Sequence, residues 1–262
     1  MGTALITGGG KGIGKAIAIE LASKGYDILI VARTELDLKQ TCMEIEQKFD
    51  VKTHYFVIDI SEQNAIKKVV SWVLALKIDL EVLVNNAGYG LSGYFEKQDL
   101  SALINMMQLN MLTLVSFTHT LLPLLKKQKR SYILNVASTA AYQATPGLSA
   151  YAASKSFVLS FSRGLNIELK KTAVSVTCVS PGPTNTSFFK RANLSAKGLK
   201  MVEKVHMETK TLAKIAVHAL LKGNPEVIPG FKNRTTAFLS WLFPKFIVER
   251  IAGKFLGDAI NN

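Results

Sequence analysis

The chain has 262 residues, of which 48% are hydrophobic, so it can bury a large core within one domain. Its two cysteines, Cys42 and Cys178, lack metal-ligand spacing and exclude a disulfide framework, so we expect no metal and a reducing, cytoplasmic setting. The net charge of +13 fits a solvated basic face, an anionic ligand or an acidic membrane surface better than a nucleic acid, because no nucleic-acid-binding signature accompanies it.

Short apolar segments alternate with helical ones along the whole chain. Predicted strands occupy residues 3–7, 27–32, 54–59, 81–85, 131–138, 173–180 and 226–229. The first predicted helix is indicated by Ile13, Ile17 and Leu21 on one face. Further helices are predicted over residues 35–49, 62–76, 101–126, 150–170 and 208–222. Strand-like sequence from Thr3 predicts no secretory leader, and no run reaches the ~18 uninterrupted apolar residues of a transmembrane helix.

This alternation predicts the fold class. Near-continuous apolar strands joined by helices indicate a buried parallel sheet with helices on both faces. We therefore predict an α/β fold in a single domain over residues 1–262, with a Rossmann-type, doubly wound parallel sheet of about seven strands. The sequence shows no internal repeat and no linker.

A glycine-rich loop joins the first strand to the first helix. Glycines allow a tight turn and let phosphates approach the backbone, while the helix N-terminus presents free N–H groups to a pyrophosphate. The pattern predicts a dinucleotide site. The predicted contacts in this loop are Thr7, Gly8, Gly10, Lys11, Gly12, Ile13 and Gly14.

The residue at the end of the second strand predicts which dinucleotide binds. An acidic residue there would hold the ribose 2′-hydroxyl of NAD, but this chain has Arg33. Arg33 can pair with a 2′-phosphate, and Lys11 in the glycine loop can add a second cation. We therefore predict NADP(H) in preference to NAD(H).

Tyr151 and Lys155 are four residues apart in a predicted helix, with Ser138 thirteen residues before the tyrosine. Positions i and i+4 share one helix face, so the ammonium can approach the phenol. A nearby cation favours the ionised phenol and lowers its pKa from about 10. This spacing predicts a tyrosine that exchanges a proton with a substrate.

With these motifs in order, the chain resembles the short-chain dehydrogenase/reductase family over nearly its full length. The matching segments are the loop 7–14, Asp59 after the third strand, Asn85-Asn86-Ala87-Gly88, Asn110, Ser138, Tyr151, Lys155, and the run 181–186. The resemblance implies further cofactor contacts at Asp59, Ile60, Asn86, Ala87, Gly88, Tyr151, Lys155, Pro181, Gly182, Thr184 and Thr186. It also implies a homodimer or homotetramer formed through helices 101–126 and 150–170.

The resemblance implies hydride transfer between nicotinamide and a carbonyl or secondary alcohol. Ser138 would bond the substrate oxygen, and Tyr151 would exchange its proton. Lys155 would lower the tyrosine pKa and bond the nicotinamide ribose. Asn110 would hold a water that connects Lys155 to solvent.

The substrate side is less constrained. Candidate substrate contacts are Ser138, Tyr142, Gln143, Leu148 and Tyr151, and residues 187–207 are expected to form a lid. The segment 235–260 carries apolar residues at four-residue spacing, in the sets Ile247, Ile251, Phe255 and Val248, Ala252, Leu256. It can pack on its own domain or a partner subunit, line the substrate entrance, or lie in a membrane surface.

The leading hypothesis is an NADP(H)-dependent oxidoreductase for a small-molecule carbonyl or alcohol that is largely apolar. A 3-oxoacyl thioester reductase of lipid metabolism is the specific alternative, because the basic C-terminal third could receive an anionic carrier. A non-catalytic NADP-binding regulatory protein is the alternative of another class. A nucleic-acid binder would instead show salt-dependent DNA binding that NADP does not perturb.

Overall fold

The computed structural model describes residues 2–184 and 206–257, the last four by their backbone only. Within these ranges, seven parallel strands form one sheet in the order β3-β2-β1-β4-β5-β6-β7. The strands are β1 Thr3–Thr7, β2 Asp27–Ala32, β3 Thr53–Val57, β4 Leu80–Asn85, β5 Ser131–Val136, β6 Val174–Val179 and β7 Glu226–Val227. The strand order reverses direction between β1 and β4, as expected for a doubly wound sheet, so the predicted fold class is confirmed.

The helices follow the predicted positions within a few residues. They are α1 Gly12–Ala22, α2 Glu35–Lys48, α3 Ala65–Ala75, α4 Leu100–Met107, α5 Thr113–Lys126, α6 Ser149–Glu168, α7 Thr209–Leu221, α8 Phe231–Leu242 and α9 Lys245–Gly257. The stretch predicted as one helix at 101–126 contains a π-helical turn, Gln108–Leu112, between α4 and α5.

The sheet is covered on both faces because successive strand residues point to opposite sides. In β1, Ala4 and Ile6 belong to a cluster that α1, α2 and α7 complete, whereas Leu5 belongs to a second cluster. That second cluster contains buried residues of α3, α5 and α6, including Phe117 and Leu121. The near-continuous apolar strands of the sequence reflect this burial on both sides.

One helical stretch in the described residues, Leu100–Lys126, is long and apolar enough to cross a bilayer by length and composition alone. Its residues Phe117, Leu121 and Leu125 are fully buried against the sheet. A core helix passes the same test, so the stretch is no argument for a membrane span.

The C-terminal segment forms two helices. Pro244 divides it into α8 and α9, and Phe243 before the proline is extended (φ −89°, ψ 153°), as the proline ring requires. In α9, Ala252 is buried while Ile247 and Ile251 are exposed. Of the apolar sets at four-residue spacing, Ile247 and Ile251 therefore face solvent, whereas Val248 and Ala252 are at least partly covered.

Several predicted features fall outside the described residues. They are Thr186, residues 187–205 of the proposed lid, and residues 258–260 of the C-terminal segment. Of the proposed lid, His206 and Met207 are described, and Met207 forms a parallel bridge with Thr184.

The packing predicts opposite effects for two glycine substitutions. A Cβ at Gly14 would collide with the carbonyl oxygen of Gly8, whereas a Cβ at Gly164 in α6 would meet nothing within 4 Å. Gly14→Ala should lower the unfolding free energy by about 1–3 kcal/mol through overpacking. Gly164→Ala should raise it by about 0.5–1 kcal/mol, since alanine is the better helix former. Urea unfolding of both variants measures this, and equal midpoints would contradict the close approach at Gly14.

Candidate active site

The loops after β1 and β4 are locked together at the carboxyl edge of the sheet. Thr7 Oγ1 accepts hydrogen bonds from the backbone N–H groups of Asn86 and Ala87, each at 3.1 Å. In return, the Asn86 amide donates to the carbonyl oxygens of Thr7 (2.9 Å) and Gly8 (3.2 Å). These loops flank the point where the strand order reverses, which is where open parallel sheets bind ligands.

The glycine loop fits a bound anion. Gly8 and Gly12 have φ of +68° and +58°, a left-handed backbone that other residues adopt at a cost. The N-terminus of α1 has no side-chain cap and no acidic residue in its first turn. Its backbone N–H groups therefore suit a pyrophosphate. Gly14 has a different role: it lets the helix approach Gly8 and Asn86 closely.

Both predicted phosphate-binding cations are paired with acids. Arg33 Nη1 lies 3.2 Å from Asp59 Oδ2, and Lys11 Nζ lies 3.6 Å from Asp37 Oδ2. Partial burial opposes ionisation of Asp59, but hydrogen bonds from Ser61 and Arg33 hold the pKa of its carboxyl below the usual value. Both cations are largely exposed, so they can turn towards a phosphate at little cost.

Asn110 lies in the π-helical turn and is buried. Its side-chain Oδ1 accepts a hydrogen bond from the Tyr89 backbone N–H (3.1 Å). Its Nδ2 donates to the Tyr89 carbonyl oxygen and to Ser154 Oγ, both at 3.0 Å. The Asn110 side chain therefore connects the loop after β4 to α6, whereas the sequence predicted a water-holding role for this residue.

Tyr151 and Lys155 are both buried on α6. Lys155 Nζ donates to the Val136 carbonyl oxygen (2.8 Å) and lies 6.0 Å from the centroid of the Tyr151 ring. Burial lowers the pKa of Lys155 to about 8. Burial raises the pKa of Tyr151 to about 12, although a hydrogen bond with Ser138 opposes the rise.

The net shift of the Tyr151 pKa is therefore opposite to the lowering that the sequence predicted. The sequence predicted a lowered tyrosine pKa from the i, i+4 spacing alone. Desolvation by burial is the main cause of the rise, since a buried phenolate loses its hydration. At neutral pH Tyr151 keeps its proton and can act as an acid.

A polar chain that the sequence did not reveal joins the two ends of the site. Ser61 Oγ donates to Asp59 Oδ1 (2.7 Å), and the Asn105 amide donates to Ser61 Oγ (3.2 Å). The Tyr89 hydroxyl then donates to Asn105 Oδ1 (2.9 Å). Asn105 had one recognisable signal, a polar amide within an apolar helix, which it shares with Asn110.

The predicted substrate residues separate into two groups. Leu148 packs in the cluster that contains Tyr151, together with Tyr89, Leu103 and Met106. The Tyr142 hydroxyl instead bonds Ser180 and Glu226, and Tyr142 packs in a different cluster. Gln143 Oε1 accepts a hydrogen bond from Ser240 of α8 (3.1 Å). Ser138 begins the 3-10 turn Thr139–Tyr142, where its Oγ accepts from the Ala140 N–H.

The remaining predicted cofactor residues lie near the same edge. The Pro181 carbonyl oxygen accepts from the Thr139 N–H (2.8 Å), and Thr184 Oγ1 donates to the Gly182 carbonyl oxygen (3.0 Å). Ile60 is buried after β3. A Cβ at Gly88 would meet Asn110 Oδ1 at 2.7 Å and Lys155 Nζ at 3.5 Å, so Gly88 lies beside the proposed catalytic residues.

Burial of Lys155 predicts a pH-dependent stability. The folded pKa of about 8 is below the unfolded value of ~10.4, so between these pH values the unfolded chain holds a proton that the folded protein has released. Stability from this group therefore rises with pH across that window, by on the order of 3 kcal/mol. Urea unfolding should show wild type gaining this stability relative to Lys155→Met. The exposed Lys171→Met is the control, and a constant difference between wild type and Lys155→Met would contradict the prediction.

Comparisons with known proteins agree with this arrangement. A family model described as short chain dehydrogenase matches residues 2–197. The very-long-chain 3-oxoacyl-CoA reductase of Anas platyrhynchos is 32% identical over 244 residues, which are 92% of this chain and 74% of that protein. Other reductases with the same name are matched over as little as 52% of their length, so they contain segments outside the match.

Two solved structures share the fold of this chain and are more than 25% identical to it in sequence. A short-chain dehydrogenase from Sphingobium yanoikuyae, in complex with NADPH, has a TM-score of 0.81 and 27% identity over 92% of this chain and 94% of that one. An alcohol dehydrogenase from Thermococcus sibiricus, complexed with 5-hydroxy-NADP, has a TM-score of 0.76 and 27% identity over 87% and 95%. The extent of the family match, the order of the motifs and the shared fold lead to one conclusion: the chain belongs to the short-chain dehydrogenase family and is an oxidoreductase that acts on hydroxyl or carbonyl groups.

Proposed function

We propose that the protein is an NADP(H)-dependent reductase of a largely apolar carbonyl substrate, with a 3-oxoacyl thioester as the specific candidate. The observation that carries this proposal is the pair Tyr151 and Lys155, buried on α6 at the carboxyl edge of the sheet, with the partly buried Ser138 hydrogen-bonded to Tyr151. A non-catalytic NADP-binding protein would have no need to bury a lysine, because an unpaired buried cation is costly.

Ser138, Tyr151 and Lys155 would each have a different role in transferring a proton to the substrate oxygen. Ser138 and the Tyr151 hydroxyl would both bond the substrate oxygen. Because burial keeps Tyr151 protonated at neutral pH, the tyrosine is ready to donate its proton as charge develops on that oxygen. Lys155, with its pKa near 8, is largely cationic at pH 7 and would stabilise the phenolate that forms.

Asn110 would hold neighbouring residues of the site in position and would not contact the substrate. Its side chain holds the Tyr89 backbone and Ser154, and Ser154 Oγ donates in turn to the Tyr151 carbonyl oxygen (2.7 Å). The water relay to Lys155 stays a proposal. The π-helical turn supports it, because such turns leave backbone carbonyls free for other partners.

NADP(H) would supply the hydride chemistry when bound. The glycine loop and the N-terminus of α1 would hold its pyrophosphate, with Asn86 fixing the loop. Arg33 and Lys11 favour the phosphorylated cofactor, since an exposed cation at each position can bond a 2′-phosphate.

Apolar side chains around Tyr151 support an apolar substrate. Tyr89, Leu103 and Met106 form a buried cluster with it, and Leu91 and Leu148 pack against that cluster. The names of the 3-oxoacyl-CoA reductases favour a thioester of an acyl chain. The basic C-terminal third would suit the phosphates of a carrier.

We also propose a cytoplasmic homo-oligomer formed through α4, α5 and α6. These helices and the π-helical turn between α4 and α5 carry large apolar side chains that are exposed in the single chain, namely Leu100, Ile104, Leu112, Phe157 and Ile167. Exposed apolar groups on adjacent helices are typical of a subunit interface.

Removing the Tyr151 hydroxyl tests the reaction. Tyr151→Phe should keep NADPH binding and lose about 10²–10⁴-fold in kcat, because the proton donor is gone. The matched control is Tyr142→Phe, whose hydroxyl bonds Ser180 and Glu226 and should cost about 1 kcal/mol of stability with most turnover kept. NADPH oxidation against a panel of ketones and 3-oxoacyl thioesters measures both variants.

Near-normal turnover in Tyr151→Phe would refute the assignment. A loss in Tyr142→Phe as large as in Tyr151→Phe would instead give Tyr142 the substrate role predicted from the sequence. Turnover of small ketones with none of the thioesters would exclude the 3-oxoacyl candidate and leave the reductase.

Cofactor preference is tested by charge removal. Arg33→Ala should weaken NADPH binding by roughly 10–100-fold, which corresponds to losing a charge-assisted hydrogen bond, and leave NADH binding nearly unchanged. Arg130→Ala removes the same charge from an exposed residue before β5, and should change neither affinity. Fluorescence titration with both nucleotides measures the constants. Equal affinity of wild type for NADH and NADPH would contradict the preference.

A further inference from the structure

The C-terminal hairpin, residues 231–257, exposes most of the large apolar side chains that the structure describes in it. Phe231 is 80% exposed, and Trp241 and Phe246 are each 71% exposed. In α8, the buried residues are the small ones, Ala237 and Ser240, so the apolar stripe points away from the protein. A helix of a soluble domain ordinarily buries such a stripe in its own core.

The hairpin nevertheless contacts the loops at the carboxyl edge of the sheet. Ser240 Oγ donates to Gln143 Oε1, and Lys245 Nζ donates to the Ser240 carbonyl oxygen (2.9 Å). Asn233 lies where a Cβ on Gly182 would be, and a Cβ added to Gly253 of α9 would lie 3.4 Å from the Pro146 ring. The hairpin therefore rests on the loop that leads into Tyr151.

Most of the charged residues around the apolar stripe are basic. Residues 231–257 contain five Lys or Arg and a single acid, Glu249. Arg250 lies among exposed Phe246, Ile247 and Ile251, where these four line a groove of about 240 Å³. Aromatic and aliphatic side chains mixed with basic ones are the composition of helices that lie in the interface of an anionic bilayer.

We propose that the C-terminal hairpin docks on an anionic lipid surface and turns the substrate entrance towards the bilayer. A second copy of this chain is the less suitable occupant. A twofold contact pairs a surface with itself, so it would place these basic residues against each other. Anionic headgroups instead neutralise them, while Trp241, Phe246 and Phe231 enter the acyl boundary.

This inference deepens the proposed function. Acyl chains of the candidate substrate partition into bilayers, so a reductase whose entrance faces the bilayer would receive them without passage through water. The Gln143–Ser240 hydrogen bond links the membrane-facing helix to the loop before Tyr151.

Sedimentation with vesicles tests the docking. The intact protein should bind phosphatidylcholine vesicles containing 30% phosphatidylglycerol roughly 10-fold or more tightly than vesicles of phosphatidylcholine alone. Trp241→Asp/Phe246→Asp should abolish this binding. The matched control, Met43→Asp/Leu74→Asp, adds the same charge at two exposed apolar residues of α2 and α3 and should bind as wild type does.

Tryptophan fluorescence provides a second measurement on the same surface. The chain has two tryptophans, and Trp72 packs against Phe56 at a centroid distance of 5.3 Å. In Trp72→Phe, emission therefore reports on Trp241 alone. It should shift to the blue on adding anionic vesicles and be quenched by lipids brominated near the headgroup.

Three results would overturn the proposal. In the first, the wild type does not sediment with anionic vesicles. In the second, the two double variants bind vesicles equally well. In the third, vesicles leave the emission of Trp241 unchanged. A wild-type dimer that becomes monomeric in Trp241→Asp/Phe246→Asp, without vesicle binding, would assign the hairpin to a second copy. Turnover of a water-soluble ketone separates this outcome from failure of the proposed function, because docking variants should retain it and Tyr151→Phe should not.

Discussion

The buried amide of Asn110 is the constraint on which the arrangement of the site depends. Both of its polar atoms bond the backbone of Tyr89, and the same amide reaches Ser154 on α6. A buried amide left without partners costs about 1–3 kcal/mol, so the loop after β4, the π-helical turn and α6 must stay in register. Because Tyr151 is one turn before Lys155 on α6, fixing α6 at Ser154 also fixes the backbone positions of both residues of the proposed catalytic pair.

The sequence predicted the sheet well because its signal is local. The strands of a doubly covered sheet are nearly continuous apolar runs, so the bounds of β1 and β2 follow from the apolar pattern, and those of β6 follow within one residue at each end. The glycine loop and the Tyr151–Lys155 spacing are local patterns as well. The partners of a polar group come from distant parts of the chain, so the Gln143–Ser240 bond and the chain through Asn105 were not predictable.

The sign of the Tyr151 pKa shift shows the same limit. Helical spacing puts a cation near the phenol, but it does not show how deeply both groups are buried. Lys155 approaches the ring of Tyr151 while its ammonium bonds the Val136 carbonyl, so its charge is partly directed at the backbone. Desolvation then decides the direction of the shift, and desolvation is a property of the whole packed site.

The proposed cofactor end of the site and the region around Tyr151 differ in the strength of the interactions that fix their side chains. At the cofactor end, Arg33 and Lys11 form exposed ion pairs with Asp59 and Asp37, and such pairs contribute only about 0–1 kcal/mol. A phosphate can therefore displace the carboxylates at little cost in free energy, and in the proposed function these exposed charges select the cofactor. At the chemical end, every polar atom of Asn110 is bonded inside the protein, so the geometry around Tyr151 exists before any ligand binds. Substitutions at the proposed cofactor end can therefore change surface charges alone, whereas the proposed proton donor is held by the core.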